Sequence, residues 1–224
     1  MADNVNPRRY ASPVRERRAQ ETRTAVLDAA EQMFTTRGFV RTTLPAVADE
    51  AGVSLATVKL AFKTKTELLL NVWHRTLAGG VDDQVPVVQR EWHLKQYEIA
   101  DPVERIRFAS DNGVMIRQRI AGLVAVIEAG ALVDDTLAEL RDRMFEEHWQ
   151  VTRIFAQRLA DDGHLRDGLT IERATDELWL LNHVSNYRQL TETRGWSAEE
   201  YKAWLTRSVS HAVLKPELLR TCAW

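Results

Sequence analysis

The chain has 224 residues, of which 45% are hydrophobic and 28% are charged, and its formal net charge is −2. These values are typical of a folded globular protein and exclude a wholly disordered chain. The longest apolar stretch, from Ile120 to Val133, is too short to cross a bilayer, and the first residues contain no apolar signal segment. A single cysteine, Cys222, excludes an intramolecular disulfide. We therefore expect a cytoplasmic protein that does not associate with a membrane.

The charge is divided unevenly along the chain. Residues 1–65 contain eleven lysine and arginine residues against seven acidic residues, so this part carries +4 and the remainder carries −6. A basic segment in front of an acidic remainder favours a polyanionic partner for the basic segment. A solvated cluster of charges explains the same pattern, and charge alone does not separate these alternatives.

The N-terminal part is predicted to contain three helices. Residues 23–37 carry an apolar stripe with helical spacing that ends at Gly38. Thr43 is predicted to cap a second helix with a proline in its first turn, Gly52 allows a tight turn, and Ser54 is predicted to cap a third helix. Two short helices joined by such a turn are typical of a helix-turn-helix motif, although many other helix pairs share the pattern.

Helical patterns continue through the rest of the chain. The segment from Thr64 to Glu67 has the form of a capping box, which predicts a fourth helix through about Leu77, and Gly79-Gly80 follows as a predicted hinge. A helix is predicted from Thr170 to about Thr193. Other predicted helices begin with a capping side chain at Asp101, at Asp134 or Asp135, and at Ser197. The predicted fold class is all-α.

Residues 22–73 resemble the DNA-binding domain of the tetracycline-repressor (TetR) family. The resemblance rests on motifs that agree in spacing without a gap, namely Leu27-Asp28-Ala29-Ala30, Phe34, Gly38-Phe39, Thr42-Thr43, Val47-Ala48, Ala51-Gly52-Val53-Ser54, Phe62, Lys65 and Leu68-Leu69. Residues 177–205 are similar to the C-terminal helices of many family members. The resemblance implies a helix-turn-helix DNA-binding domain at 21–65, a linking helix at 65–78, and a helical ligand-binding and dimerisation domain at 81–224.

The resemblance also implies that the third helix reads an operator in double-stranded DNA. Thr57 can donate to a base edge or a phosphate, while Leu55 and Ala56 can contact thymine methyl groups. The family usually has tyrosine where this chain has Lys59, and often glycine at Ala56, which changes the expected base preference. The implied DNA-binding set is Arg41, Thr42, Thr43, Ser54, Leu55, Ala56, Thr57, Lys59 and Lys65. Helix capping is an alternative role for the two threonines.

Residues 1–20 are predicted to form a basic, flexible arm ahead of the first helix. Such an arm can enter the minor groove or follow phosphates, and a solvated tail is the alternative. The arginines of this arm are Arg8, Arg9, Arg15, Arg17 and Arg18.

The C-terminal domain is expected to form a homodimer and to bind a small-molecule effector. Apolar residues cover more than one face of residues 171–193, which predicts dimerisation through the last two helices, about 171–213, although a wholly internal helix also fits. Aromatic side chains at helical spacing are often core residues, so the ligand site is less well indicated. The candidate ligand residues are Trp92, Phe108, Met115, Glu128, Trp149, Trp179, His183 and Tyr187; Trp73 is a further aromatic candidate.

The sequence contains no catalytic motif that we recognise. The six histidines form no close metal pair, and neither a glycine-rich phosphate loop nor a nucleophile elbow is present. We therefore predict a protein that is not an enzyme and has no cofactor or metal.

The predicted function is a bacterial, ligand-responsive repressor that binds a palindromic operator as a homodimer. An effector is expected to favour a spacing of the two DNA-binding domains that no longer fits successive major grooves. The alternatives are a transcriptional activator, a repressor that requires its ligand, and a helical small-molecule-binding protein whose first domain no longer binds DNA.

Overall fold

A computed structural model describes residues 13–80 and 85–220, and the described residues are helical with no β-strand. One isolated antiparallel bridge joins Leu165 and Leu214. The predicted all-α class is therefore confirmed. The α-helices are α1 (Pro13–Arg41), α2 (Leu44–Glu50), α3 (Leu55–Ala61), α4 (Lys65–Leu77), α5 (Glu91–Leu94), α6 (Pro102–Gly130), α7 (Asp135–Asp161), α8 (Ile171–Leu181), α9 (Val184–Arg188) and α10 (Ala198–Val213).

Residue contacts divide the chain into two compact units, and the boundary falls between Val72 and Trp73, inside α4. We call the described residues 13–72 the N-terminal unit and the described residues 73–220 the C-terminal unit. Gly79 and Gly80 follow the end of α4 with φ angles of 80° and 92°. The hinge predicted at this pair, and the functional domain limits, stay predictions. Among the described helices, none has the length and apolarity that crossing a membrane requires.

The first helix begins earlier than the sequence pattern predicted. It starts at Pro13, and proline is well tolerated in the first turn of a helix. Arg15, Arg17 and Arg18 consequently lie exposed on α1, and the prediction of a flexible arm is wrong for these three residues. Arg8 and Arg9 lie outside the described residues, as does Cys222.

The core of the N-terminal unit is built by apolar side chains from all four of its helices. Gly38 interrupts the regular geometry of α1 with φ 77° and ψ 170°, at the position where the pattern predicted an end. This change of direction lets Phe39 stack on Phe34, with 6.0 Å between the ring centroids. The buried side chains from α1 to α4 include Leu27, Phe34, Val47, Val58, Phe62, Leu68 and Val72.

The core of the C-terminal unit lies between α6, α7, α8 and α10. Its capping residues agree with the sequence prediction, since Asp101, Asp134 and Ser197 accept hydrogen bonds from the first turns of α6, α7 and α10. Tyr201 of α10 is the largest fully buried side chain. Other core residues are Val103, Ile106, Leu159, Ala174, Leu178, Leu205, Val209 and Val213.

The single helix predicted from Thr170 to about Thr193 is wrong, because the structure divides this stretch. Thr170 caps α8 as expected, but α8 ends at Leu181, and α9 begins at Val184. A π-helical turn then covers Gln189–Thr193. At the break, the Asn182 main-chain carbonyl accepts hydrogen bonds from Arg117 of α6.

Candidate DNA-binding surface and ligand cavity

The turn between α2 and α3 is held by short-range hydrogen bonds. Thr43 Oγ1 accepts from the Ala46 N–H at 3.3 Å, and Ser54 Oγ accepts from the Thr57 N–H at 3.1 Å. Gly52 has φ 67°, a conformation that only glycine adopts without cost. Caps and glycine therefore act where the sequence predicted them.

The face of α3 that is directed away from the core carries the residues expected to meet DNA. Ala56 and Lys59 are exposed, whereas Leu55 and Thr57 are partly buried. Thr57 also shares a hydrogen bond with Ser54 through their hydroxyl oxygens, 2.8 Å apart. Leu60 is 89% exposed, which places a large apolar side chain on the same short helix. Leu60 is not among the DNA-binding residues predicted from the sequence.

The predicted DNA-binding residues in the connection from α1 to α2 differ in their exposure to solvent. Arg41 and Thr43 are exposed, so both are accessible to a phosphate. Thr42 is fully buried, and its hydroxyl donates to the Gly38 carbonyl at 2.8 Å. The Thr42 side chain thus has a structural role in closing the turn after α1, and its contact with DNA stays a prediction.

Lys65 is partly buried and engaged inside the N-terminal unit. Its Nζ donates to the Phe39 carbonyl at 2.9 Å and lies 4.0 Å from the centroid of the Phe39 ring. A carbonyl and an aromatic face both stabilise an ammonium group. Lys65 consequently has a structural role in tying the start of α4 to the end of α1, and its contact with phosphate stays a prediction.

The N-cap of α4 differs in one detail from the predicted capping box. Thr64 Oγ1 accepts from the Glu67 N–H at 3.0 Å, as the pattern requires. The Glu67 carboxylate, however, accepts from the N–H of Lys63 instead of that of Thr64, at 3.0 Å. The carboxylate still satisfies a backbone donor ahead of the helix.

The C-terminal unit contains a cavity of about 730 Å³. This volume lies within the range of about 300–1,000 Å³ that is usual for small-molecule sites. Its walls come from the second half of α4, residues 85–96, α6, α7, and the break between α8 and α9. The aromatic members of the lining are Trp73, Trp92, Phe145 and Phe155.

Arg117 of α6 is the buried cation of this cavity. Only 6% of the residue is exposed, and burial lowers the pKa of its guanidinium. Its Nε and Nη2 donate to the Asn182 main-chain carbonyl at 3.0 and 2.6 Å, and Nη2 also donates to Asn182 Oδ1 at 2.7 Å. Its Nη1 is buried without a hydrogen-bond partner. Arg117 thus binds the carbonyl at the C-terminal end of α8, and both N–H donors of its Nη1 stay unused.

Three histidines in the lining are kept neutral by their surroundings. Burial, with smaller effects from the charges of Arg117 and His183, lowers the pKa of His148 to about 3. Burial also lowers the pKa of His183, although the Glu128 carboxylate opposes that change. The pKa of His93 is lowered by burial as well, and its ring nitrogens contact Gln96 Nε2 at 3.2 Å and Tyr97 OH at 3.3 Å. These rings offer hydrogen bonds without adding charge at neutral pH.

The cavity includes some of the predicted ligand residues and leaves out others. Trp92 and His183 line it, and so does Trp73. Tyr187 packs against Tyr201 in the core, and Trp149 Nε1 donates to Asp176 at 3.3 Å, so both aromatic residues have structural partners. The predicted residues outside the lining are Phe108, Met115, Glu128, Trp149, Trp179 and Tyr187.

Arg117, His148 and Phe145 line the cavity but were not predicted from the sequence. Arg117 resembled an ordinary surface arginine, because its neighbours Gln118 and Arg119 are polar and exposed. Gly113, one helical turn earlier, was the available signal: a Cβ at this position would lie 2.4 Å from Arg117 Nη1. The small residue leaves room for the guanidinium. Within the described ranges, no group of three His, Cys, Asp or Glu side chains is arranged to hold a metal ion.

Two short capped helices, joined by a glycine turn and packed on a longer first helix, define a helix-turn-helix domain. Residues 26–72 match the family model described as bacterial regulatory proteins, tetR family. The N-terminal unit is thus similar to this family.

One curated relative shows the same similarity over a limited length. The chain is 44% identical over 61 residues to the HTH-type transcriptional regulator TtgR of Pseudomonas putida. That match covers 26% of this chain and only 29% of TtgR.

Solved structures extend the likeness to most of the chain. The complex of SmeT with triclosan has a TM-score of 0.71 and 20% identity, and the match covers 88% of this chain and 93% of that chain. SmeT is the repressor of the Stenotrophomonas maltophilia multidrug efflux pump SmeDEF. A transcriptional regulator from Saccharomonospora viridis in complex with choline has a TM-score of 0.66 and 19% identity, over 88% and 99% of the two chains. At these identities the likeness shows a shared fold.

Proposed function

We propose that this protein is a DNA-binding transcriptional repressor that responds to a small-molecule effector. The observation that carries the proposal is the α2–α3 motif, whose exposed face presents Lys59 and Ala56 within a domain similar to the TetR family. A recognition helix of this kind enters the major groove with its N-terminal residues, while flanking cations contact phosphates. Arg41 and Thr43 are the exposed flanking candidates.

The cavity of the C-terminal unit supports the ligand-responsive part of the proposal. A structural relative, SmeT, is a repressor and has been solved with triclosan. By analogy, the effector of this protein occupies the cavity lined by Trp73, Trp92 and His183. Release from DNA requires that the effector bind the form off DNA more tightly than the form on DNA.

The protein acts as a homodimer in this proposal, because two-fold symmetry matches a palindromic operator. The proposed interface lies within residues 171–213, which were predicted as the last two helices and contain α8, α9 and α10. Leu180 of α8 supports this choice, since its large apolar side chain is 61% exposed. The apolar residues of α10, including Leu205 and Val209, are buried in the core of the same chain. The exposed side of α8 is therefore the better candidate for the contact.

Selection of duplexes from random-sequence DNA with the purified protein tests this function. We expect enrichment of a two-fold symmetric consensus, and protection of both half-sites in a footprint of the selected duplex. Absence of enrichment at low salt would overturn the proposal and would indicate a ligand-binding protein whose N-terminal unit no longer recognises an operator. Because the selection uses random-sequence DNA, its result does not depend on where the operator lies in the genome.

A further inference from the structure

Arg117 carries a charge that its protein partners satisfy only in part. The guanidinium has five N–H donors, and a buried donor without a partner is costly. Both oxygens that it binds belong to Asn182, and both are neutral. Of the carboxylates in the described chain, none forms an ion pair or hydrogen bond with Arg117. A buried cation of this kind is usually paired.

The position of Nη1 connects this charge to the cavity. Nη1 lies beside Gly113, and both Gly113 and Arg117 belong to the cavity lining. Asn182, which holds the other side of the guanidinium, lines the cavity too. Three hydrogen bonds to Asn182 hold the planar group in place, so that the two remaining N–H donors, both on Nη1, have defined directions.

The buried part of the described lining contains no carboxylate, and Glu128, whose charge acts on His183, lies outside the lining and forms no ion pair or hydrogen bond with Arg117. The two lining carboxylates, Glu146 and Glu147, are both exposed on α7. His148 and His183 are neutral at neutral pH for the reasons given above. The rest of the lining is mainly apolar and aromatic, and a low-dielectric environment strengthens the attraction between Arg117 and an anion.

A purely structural role for Arg117 explains only part of this arrangement. Bonding of Nε and Nη2 to the carbonyl that ends α8 accounts for two of the three nitrogens. A neutral side chain of similar length would brace the same carbonyl without burying a permanent charge. The structural role leaves Nη1 and the uncompensated charge unexplained.

We propose that the cavity binds an apolar, aromatic molecule carrying one carboxylate-type anionic group, which accepts a hydrogen bond from Arg117 Nη1. The aromatic walls formed by Trp73, Trp92 and Phe145 receive the ring system. This inference rests on the proposed function, because it names the chemical class of the effector for the same ligand site.

The experiment compares two probes of the same shape, 2-naphthoate and 2-naphthamide, by isothermal titration calorimetry at pH 7.5 with the full chain. The carboxylate is expected to bind about tenfold more tightly or better, since a charge-assisted hydrogen bond replaces a neutral one. In Arg117→Met the preference should disappear through loss of carboxylate affinity. The matched control Arg107→Met removes an exposed arginine of the same helix, outside the lining, and should keep the preference.

Arg117→Lys keeps the positive charge and provides a second variant in case Arg117→Met does not fold. We expect it to retain part of the carboxylate preference, and circular dichroism checks the helical content of each variant. If Arg117→Met does not fold, the comparison of the two probes on the wild-type protein decides the question. Equal affinity for both probes, a preference that survives in Arg117→Met, or no binding of either probe at millimolar concentration would overturn the inference.

The result of this titration is independent of the result of the DNA selection that tests the proposed function. DNA selection measures the N-terminal unit without any ligand. Operator binding without carboxylate preference would reject only the anionic effector, whereas carboxylate preference without operator binding would reject only the regulator.

Discussion

At the scale of single residues, burial decides which groups of the cavity carry charge. Arg117 remains the cation, while His148 is held neutral by burial and by the positive charge of Arg117. The sequence alone did not indicate this division, because an arginine and a histidine on amphipathic helices are ordinary surface residues. Their environment depends on which helices come together around them, and that is a tertiary property.

The neutral state of His148 predicts a specific loss of stability in acid. Its pKa is about 3 in the folded chain against 6.5 in the unfolded chain, so protons bind the unfolded chain preferentially as the pH falls below 6.5. The stabilising contribution is complete above pH 6.5 and declines toward pH 3. At pH 5 the decline amounts to at most about 2 kcal/mol.

Chemical denaturation at pH 7.5 and pH 5 measures this effect in the wild type and in His148→Gln. The variant should lose less stability than the wild type over this interval, by up to about 2 kcal/mol. An identical pH dependence of the two proteins would show that His148 is protonated as easily in the folded chain as in the unfolded chain.

At the scale of elements, the sequence predicts helix starts well and interior breaks poorly. Thr43, Ser54 and Ser197 cap their helices as expected, because each cap bonds to a backbone group within three residues. The break between α8 and α9 was missed. The Asn182 carbonyl at this break accepts a hydrogen bond from Arg117, which lies 65 residues away in the sequence, and no local pattern encodes such a contact.

The capping box of α10 supplies a test at this scale. Ser197 Oγ accepts from the Glu200 N–H at 3.2 Å, and the Glu200 carboxylate accepts from the Ser197 N–H at 2.7 Å. Ser197→Ala should lower the free energy of unfolding by about 1 kcal/mol, measured by urea denaturation. Ser208→Ala, in the body of the same helix, is the control and should cost less. Equal effects of the two substitutions would argue against the cap.

The candidate DNA-binding surface was predicted in part. The exposure of Arg41, Thr43 and Lys59 agrees with accessibility to DNA, although contact itself stays a prediction. Thr42 could not be separated from Thr43 by sequence, because both have the same side chain. Only the path of the chain after Gly38 buries one and exposes the other.

At the scale of the whole molecule, the proposed function requires two copies of the chain. Leu180→Glu places a charge on the exposed side of α8 and should shift the protein toward monomer in sedimentation equilibrium, because a buried unpaired charge disfavours association. Operator binding should weaken with it. The control is Leu132→Glu, which changes an exposed leucine that is 81% accessible and lies outside the proposed interface. A Leu180→Glu protein as dimeric as the wild type would place the interface elsewhere.

The measurement that tests the central claim most directly is a titration of the selected duplex at several salt concentrations. It uses wild type, Lys59→Ala, and the control Lys95→Ala, which removes an exposed lysine from the C-terminal unit. We predict saturable binding that weakens as salt increases, about tenfold or greater weakening in Lys59→Ala, and wild-type affinity in Lys95→Ala. Binding that is insensitive to salt, or equal affinities of the three proteins, would contradict recognition of DNA through the exposed face of α3.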